Sequence, residues 1–180
     1  MSINNILIGN ANTFSLVNFS NALTSGLEND VSAFASVCYS PPTTGGGWIV
    51  QNATDTTPIV ITSQAHGLST NDYITIVNVG DDRGAHGTFQ VTVIDADNFS
   101  LNGSVGSANW SVGGQFYKCV QDCAGLAFAL QGNGLYQLTI NGNVGLIPNS
   151  QYVFVVYCTG AYRDLYNSVN PIVAQVRTGS

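Results

Sequence analysis

The chain has 180 residues, 44% of them hydrophobic, enough for one ordinary domain or two small ones. Charged residues make up only 8%, about a third of the usual share, and the basic side chains, Arg83, Lys118, Arg163 and Arg177, face ten acidic ones. That balance leaves no patch able to neutralise a run of phosphates, so nucleic-acid binding is not expected, and the weak like-charge repulsion suits a protein that works inside an assembly.

The start, Met1-Ser2-Ile3-Asn4-Asn5-Ile6-Leu7-Ile8, lacks the basic and apolar regions of a signal peptide. The longest apolar stretch, residues 153–158, is of strand length and far too short to cross a bilayer, so no membrane role is expected.

Helical periodicity is nearly absent, while alternation with a period of two recurs along the chain, which predicts an all-β protein. After a strand near residues 12–17, the alternation over 31–39 turns Val31, Ala33, Ala35, Val37 and Tyr39 inward and Ser32, Ser36 and Ser40 outward, with Phe34 breaking the pattern. Pro41-Pro42-Thr43-Thr44-Gly45-Gly46-Gly47 reads as a hinge, and Gly113-Gly114 as its counterpart. Between them, strands are predicted at 59–63, 73–79, 88–94 and 98–101, joined by turns at His66-Gly67, Asp81-Asp82-Arg83-Gly84 and Asp95-Ala96-Asp97-Asn98.

Beyond the second hinge come strands near 115–120, 126–130 and 135–140, the last ending at the turn dipeptide Asn141-Gly142. A strand is predicted at 152–158, of which residues 153–158 are apolar on both faces and should lie centrally in a sheet, and a final strand is predicted at 169–176. Residues 1–47 and 117–180 are each too short to fold comfortably alone. Together they predict a discontinuous immunoglobulin-like β-sandwich of about seven strands, interrupted by a small β-barrel-like module at residues 48–116.

Chemistry is sparsely supported. His66 and His86 are the only candidate bases, and His66, before Gly67, reads as an imidazole bonded to loop backbone. Asp81, Asp82, Asp95 and Asp97 read as turn formers: a calcium loop at 95–98 lacks the ligand at Phe99, the glycine and the closing glutamate. Gly132-Asn133-Gly134 and Gly142-Asn143-Val144-Gly145 read as hairpin turns and not as phosphate cradles. Cys38, Cys119, Cys123 and Cys158 allow three full pairings, which spacing does not separate, and thiols are the default without a secretory route. No His lies near Cys119 and Cys123, so a zinc site is not expected. No catalytic residue, cofactor or metal is predicted, and the chain reads as no enzyme.

Tyr39, Trp48, Trp110, Phe116 and Tyr117 gather around the two hinges and are read as an aromatic clamp between domains. Tyr162, Arg163 and Tyr166 read either as a protein-contact surface, since Tyr and Arg are rich in interface energy, or as closure of the sandwich edge.

The segments Thr57-Pro58-Ile59-Val60-Ile61-Thr62, Ala65-His66-Gly67-Leu68, Asn71-Asp72-Tyr73-Ile74-Thr75-Ile76, Gly87-Thr88-Phe89-Gln90-Val91-Thr92-Val93 and Asn98-Phe99-Ser100-Leu101 resemble, in order, a small β module of phage tail and virion proteins. That module is also similar to the first catalytic-cysteine half-domain of ubiquitin-activating enzymes, a likeness of fold that carries no activity. Gly134-Leu135-Tyr136-Gln137-Leu138-Thr139-Ile140 and Ile147-Pro148-Asn149-Ser150-Gln151-Tyr152-Val153-Phe154-Val155-Val156 resemble small phage virion proteins with an immunoglobulin-like sandwich.

The resemblance implies a structural protein of a bacteriophage particle, assembled in the host cytoplasm and resident in the virion. The leading expectation is a capsid decoration, or cement, protein whose partners are the major capsid protein or other virion proteins, present as a homo-oligomer or as lattice-bound copies. The alternatives are a tail, baseplate or connector component, and a carbohydrate-binding module using Trp48 or Trp110 as a stacking platform.

Overall fold

The computed structural model describes residues 5–16, 32–41, 48–80, 83–141, 144–159 and 167–176. Among these the chain is all-β, its only helical turns being two 3-10 turns of three residues each. Three strands come first, β1 (Asn5–Ile8), β2 (Ala11–Leu16) and β3 (Ala33–Tyr39). Six follow: β4 (Asn52–Ala53), β5 (Val60–Thr62), β6 (Tyr73–Val79), β7 (Gly87–Val93), β8 (Asn98–Leu101) and β9 (Gly113–Lys118). The remainder are β10 (Leu126–Ala127), β11 (Ala129–Gly132), β12 (Leu135–Asn141), β13 (Gln151–Cys158) and β14 (Asn167–Val176). The chain divides into two compact units, residues 1–37 with 125–180, and residues 38–124.

The discontinuous unit is a sandwich of a five-stranded sheet, in the order β1-β14-β13-β3-β10, and a three-stranded sheet, β11-β12-β2. β1 runs parallel to β14, while β10 with β3, β11 and β2 with β12, and β13 with β14 pair antiparallel. This is the immunoglobulin-like partition, with β2, β12 and β11 as strands B, E and D and β14, β13, β3 and β10 as G, F, C and C′. The second unit is inserted between C and C′.

The sheets meet through side chains that alternate inward. Phe14 of β2 and Phe154 of β13 lie 4.7 Å apart between ring centroids, on the two strands that antibody domains join with a disulfide. Two residues before Phe154, Tyr152 is buried and its hydroxyl accepts the N–H of Ile147 at 2.9 Å. A tyrosine there, tied back to the E–F connection, is the tyrosine corner of immunoglobulin-like sandwiches.

β13 lies between β14 and β3, which explains its unbroken apolar run: Tyr152, Phe154, Val156 and Cys158 on one face and Val153, Val155 and Tyr157 on the other are all buried. β3 is central for the same reason. Ser36, predicted to face outward, is therefore buried, and its Oγ accepts the N–H of Gly125 at 2.8 Å, while Tyr39, predicted inward, is exposed. Phe34 does not interrupt the strand, since its ring stacks on Tyr157 at 5.6 Å.

The inserted unit is a six-stranded sheet in the order β4-β5-β8-β7-β6-β9 that closes on itself. Residues 48–53 join its two ends. Phe116 N–H donates to the Trp48 carbonyl at 2.9 Å and Val50 N–H to Gly114 at 3.0 Å, after which Gln51 N–H donates to Thr62 at 2.9 Å and β4 pairs with β5. The resulting small barrel is filled by Ile59, Ile61, Ile74, Ile76, Val91, Phe99, Leu101 and Phe116.

Gly113 and Gly114 are part of this barrel and not a hinge. Both have positive φ, and a Cβ on Gly114 would sit 2.9 Å from Cγ2 of Val50, so the absent side chain is what lets the closing segment approach β9. Residues 113–118 thus form a barrel strand where the sequence reading began an outer-unit strand, and the unit boundaries fall at 37/38 and 124/125 instead of 47/48 and 116/117.

Candidate functional site

The two units differ most in where their charges lie. Among the described residues of the sandwich there is no Asp, Glu, Lys or Arg, whereas a typical domain carries about 25% charged residues. Over the whole sequence, the barrel unit holds Asp55, Asp72, Asp81, Asp82, Asp95, Asp97 and Asp122 against Arg83 and Lys118, a formal −5, and the sandwich unit holds Glu28, Asp30 and Asp164 against Arg163 and Arg177, a formal −1. Exposed apolar side chains occur on both units, with Leu130, Ile147 and Val169 on the sandwich and Ile49, Val105 and Val112 on the barrel, so they do not distinguish the two.

The outer face of the three-stranded sheet is the most regular uncharged surface. Opposite the buried Phe14, Leu16, Tyr136, Leu138 and Ile140, the strand register places Ser15 beside Gln137, Thr13 beside Thr139 and Ala11 beside Asn141. Thr13 and Thr139 share a hydroxyl hydrogen bond at 3.2 Å, and Gln137 donates to Ser15 at 3.4 Å. β2 is the last strand of this sheet among the described residues, and its six residues carry no charge, proline or bulge, the usual guards of a free strand edge. The opposite border, β11, does carry an irregularity between Leu130 and Gly132. The chemistry available here is hydroxyl and amide pairing over small side chains, suited to contact with another protein surface.

Tyr162, Arg163 and Tyr166 lie outside the described residues, as do Asp81 and Asp82. The other candidates are engaged in the barrel. His66 is buried, its Nδ1 accepting the N–H of Leu68 at 3.0 Å and its Nε2 lying 3.0 Å from the Asp95 carbonyl, which assigns the ring proton to Nε2. Its edge packs on Phe99 at 5.0 Å, so the imidazole is a turn brace.

Asp95 accepts the N–H of Asp97 at 2.8 Å and both carboxylate oxygens receive the Asn98 amide, bonds that hold its carboxyl below the usual range, the Asp97 N–H being the main cause. Asp97 in turn accepts the N–H of Ala65 at 2.8 Å. Among the described residues no group of three or more His, Cys, Asp or Glu side chains is placed to hold a metal ion.

The aromatic residues read as a clamp belong largely to the barrel itself. Phe116 is fully buried in the barrel core, and Trp48 and Trp110 are half-buried against that core. Trp48 stacks on Phe116 at 6.1 Å, and Trp110 donates its indole N–H to Gly113 at 2.9 Å.

One grouping escaped the sequence. Cys38 and Cys119 face each other across an antiparallel bridge, with Sγ atoms 3.3 Å apart and Thr75 Oγ1 3.2 Å from Cys119 Sγ. Burial, with the neighbouring Cys119 thiol adding to it, drives the Cys38 thiol well above its ordinary range. Burial also pushes Cys123 to about 12 and Cys158 to about 11. The residues are 81 apart in sequence, and only the strand register, which spacing does not encode, brings them together.

No family model and no curated protein matches the chain.

Proposed function

We propose that the chain is a structural protein of a bacteriophage particle, in the first instance a capsid decoration protein that adheres through its immunoglobulin-like sandwich. The observation that carries this reading is the charge partition: a sandwich whose described residues bear no charge, beside a barrel that holds most of the acidity. A permanently solvated β surface is normally kept apart from others by interspersed charge. A surface of Thr, Ser, Gln, Asn and Ala can instead be covered without stranding a buried ion, which costs several kcal/mol or more when unpaired.

Repeated by symmetry, many such weak contacts add to firm attachment with no single strong site, and the acidic barrel keeps the solvated part soluble. The resemblance of roughly residues 57–114 to a module of phage tail and virion proteins supports a second reading, a tail, baseplate or connector subunit.

Immunogold electron microscopy of phage particles from the source culture, with antibody against the purified chain, separates these. Gold over the heads is the expected result. Gold confined to tails would replace the first reading with the second, and unlabelled particles, intact and disrupted, would overturn both.

A further inference from the structure

We propose that Cys38 and Cys119 are a cystine-forming pair, a covalent cross-link site that joins the beginning of the inserted barrel unit to its end. Directly opposed residues of an antiparallel pair hold their Cα atoms about 4.5 or 5.5 Å apart, and both spacings fall within the roughly 4.4–6.8 Å that a disulfide spans. Cys38 and Cys119 are such opposed residues. Their Sγ atoms, 3.3 Å apart, need to close by only about 1.3 Å to reach bonding distance.

The linkage also has a defined chemistry. With a small-molecule disulfide as oxidant, one of the two thiols loses its proton and its sulfur attacks the oxidant, forming a mixed disulfide and releasing one small thiol. The second protein thiol then attacks the protein sulfur of that mixed disulfide, releasing the second small thiol and leaving the Cys38–Cys119 bond. Two electrons and two protons pass to the oxidant, which is reduced to two thiols, and no other reactant is needed.

Burial sets the rate and not the partner. Cys38 is 0% and Cys119 4% exposed, so attack proceeds through openings of the surrounding strands and is faster where more thiolate is present. Once formed, the bond is shielded from reductants by the same packing.

The test uses the whole reduced protein, incubated natively with excess glutathione disulfide at about pH 8.5, near the ordinary thiol pKa. It is then quenched, unfolded and alkylated, cleaved before Asp122 to separate Cys119 from Cys123, and mapped by mass spectrometry without reduction. Alkylatable thiols should fall from four to two, with the Cys38 and Cys119 peptides linked to each other and Cys123 and Cys158 alkylated. All four cysteines alkylated after prolonged incubation would overturn the proposal, as would a cross-link involving Cys123 or Cys158. In Cys119→Ser no intramolecular cystine should form, and one that still did would likewise overturn it.

Discussion

On the outer face of the sandwich a threonine meets a threonine and a serine meets a glutamine, whereas the barrel closes its turns with aspartates that bind backbone N–H groups. Both devices satisfy polar groups without enzyme chemistry, but they suit different neighbours. Carboxylates remain favourable only where water or a cation reaches them; hydroxyls and amides can be covered. Among the described residues, the carboxylates that close turns in this way lie in the barrel, while the outer face of β2 and β12 carries hydroxyls and amides.

Core truncations should separate the two units most sharply. Phe116→Ala in the barrel and Phe154→Ala in the sandwich each remove a fully buried ring and should each cost about 3–5 kcal/mol. Hydrogen exchange should show β6 and β9 losing protection in the first case and β12 and β13 in the second. Equal loss across both units from either change would mean that they unfold as one.

Under the proposed decoration role, a charge placed on the outer face of the three-stranded sheet should act on association and not on folding. Thr13→Lys is expected to weaken rebinding to particles stripped of the protein at least tenfold, about 1.4 kcal/mol. Unfolding should move by no more than about 0.5 kcal/mol, because Thr13 is exposed. The comparable change on the barrel, Asp55→Lys, should leave rebinding unaltered, and a matching loss there would remove the distinction between the faces.

Smaller effects sharpen the picture within each unit. Tyr152→Phe keeps the ring but orphans the N–H of Ile147, for an expected loss of about 1 kcal/mol by denaturant titration. Asp95→Ala tests the acidic turns through pH. The folded carboxyl titrates below its unfolded value, so its stabilisation is present above the ordinary carboxylate pKa and is lost as pH falls through the lower, folded one. The stability difference between wild type and variant should therefore shrink in acid, and a constant difference would remove the carboxylate from the argument. Lys118→Ala, which breaks a 2.7 Å ion pair with Asp72, should change stability by about 1 kcal/mol or less, since the pair lies at the surface with the lysine side chain 32% exposed.

The legible part of the fold was what alternation encodes. The two-faced apolar run at 153–158 announced a central strand, and the Asp95–Asn98 turn was readable from its residue types alone. What stayed hidden depended on neighbours in space. Ser36 looks like an outward residue until β3 is known to be covered on both faces. Gly113-Gly114 looks like a hinge until Val50 is found against Gly114. Tyr152 forms its corner only once Ile147 is folded back upon it.

The thiol pair required a register spanning most of the inserted unit, and the concentration of acidic residues in the barrel became visible only when the charges of the sequence were divided between two units. The tyrosine corner did leave a trace, a tyrosine opening an apolar strand shortly after a proline-bearing connection, and that trace could have been read.

The bridge between Cys38 and Cys119 has a consequence for the ancestry of such a chain. It brings the two ends of an insertion of some eighty residues to the separation of neighbouring strands, which is the gap that a short hairpin loop spans. A host domain that accepts this segment sees only a slightly longer loop, since closure entropy grows slowly with length once the inserted part folds on itself. Because the barrel closes through its own residues 48–53, it brings its remaining hydrogen bonds with it. The ends of the inserted segment thus leave the sandwich strands at the spacing of an ordinary loop, and the hydrogen bonds that close the barrel are its own.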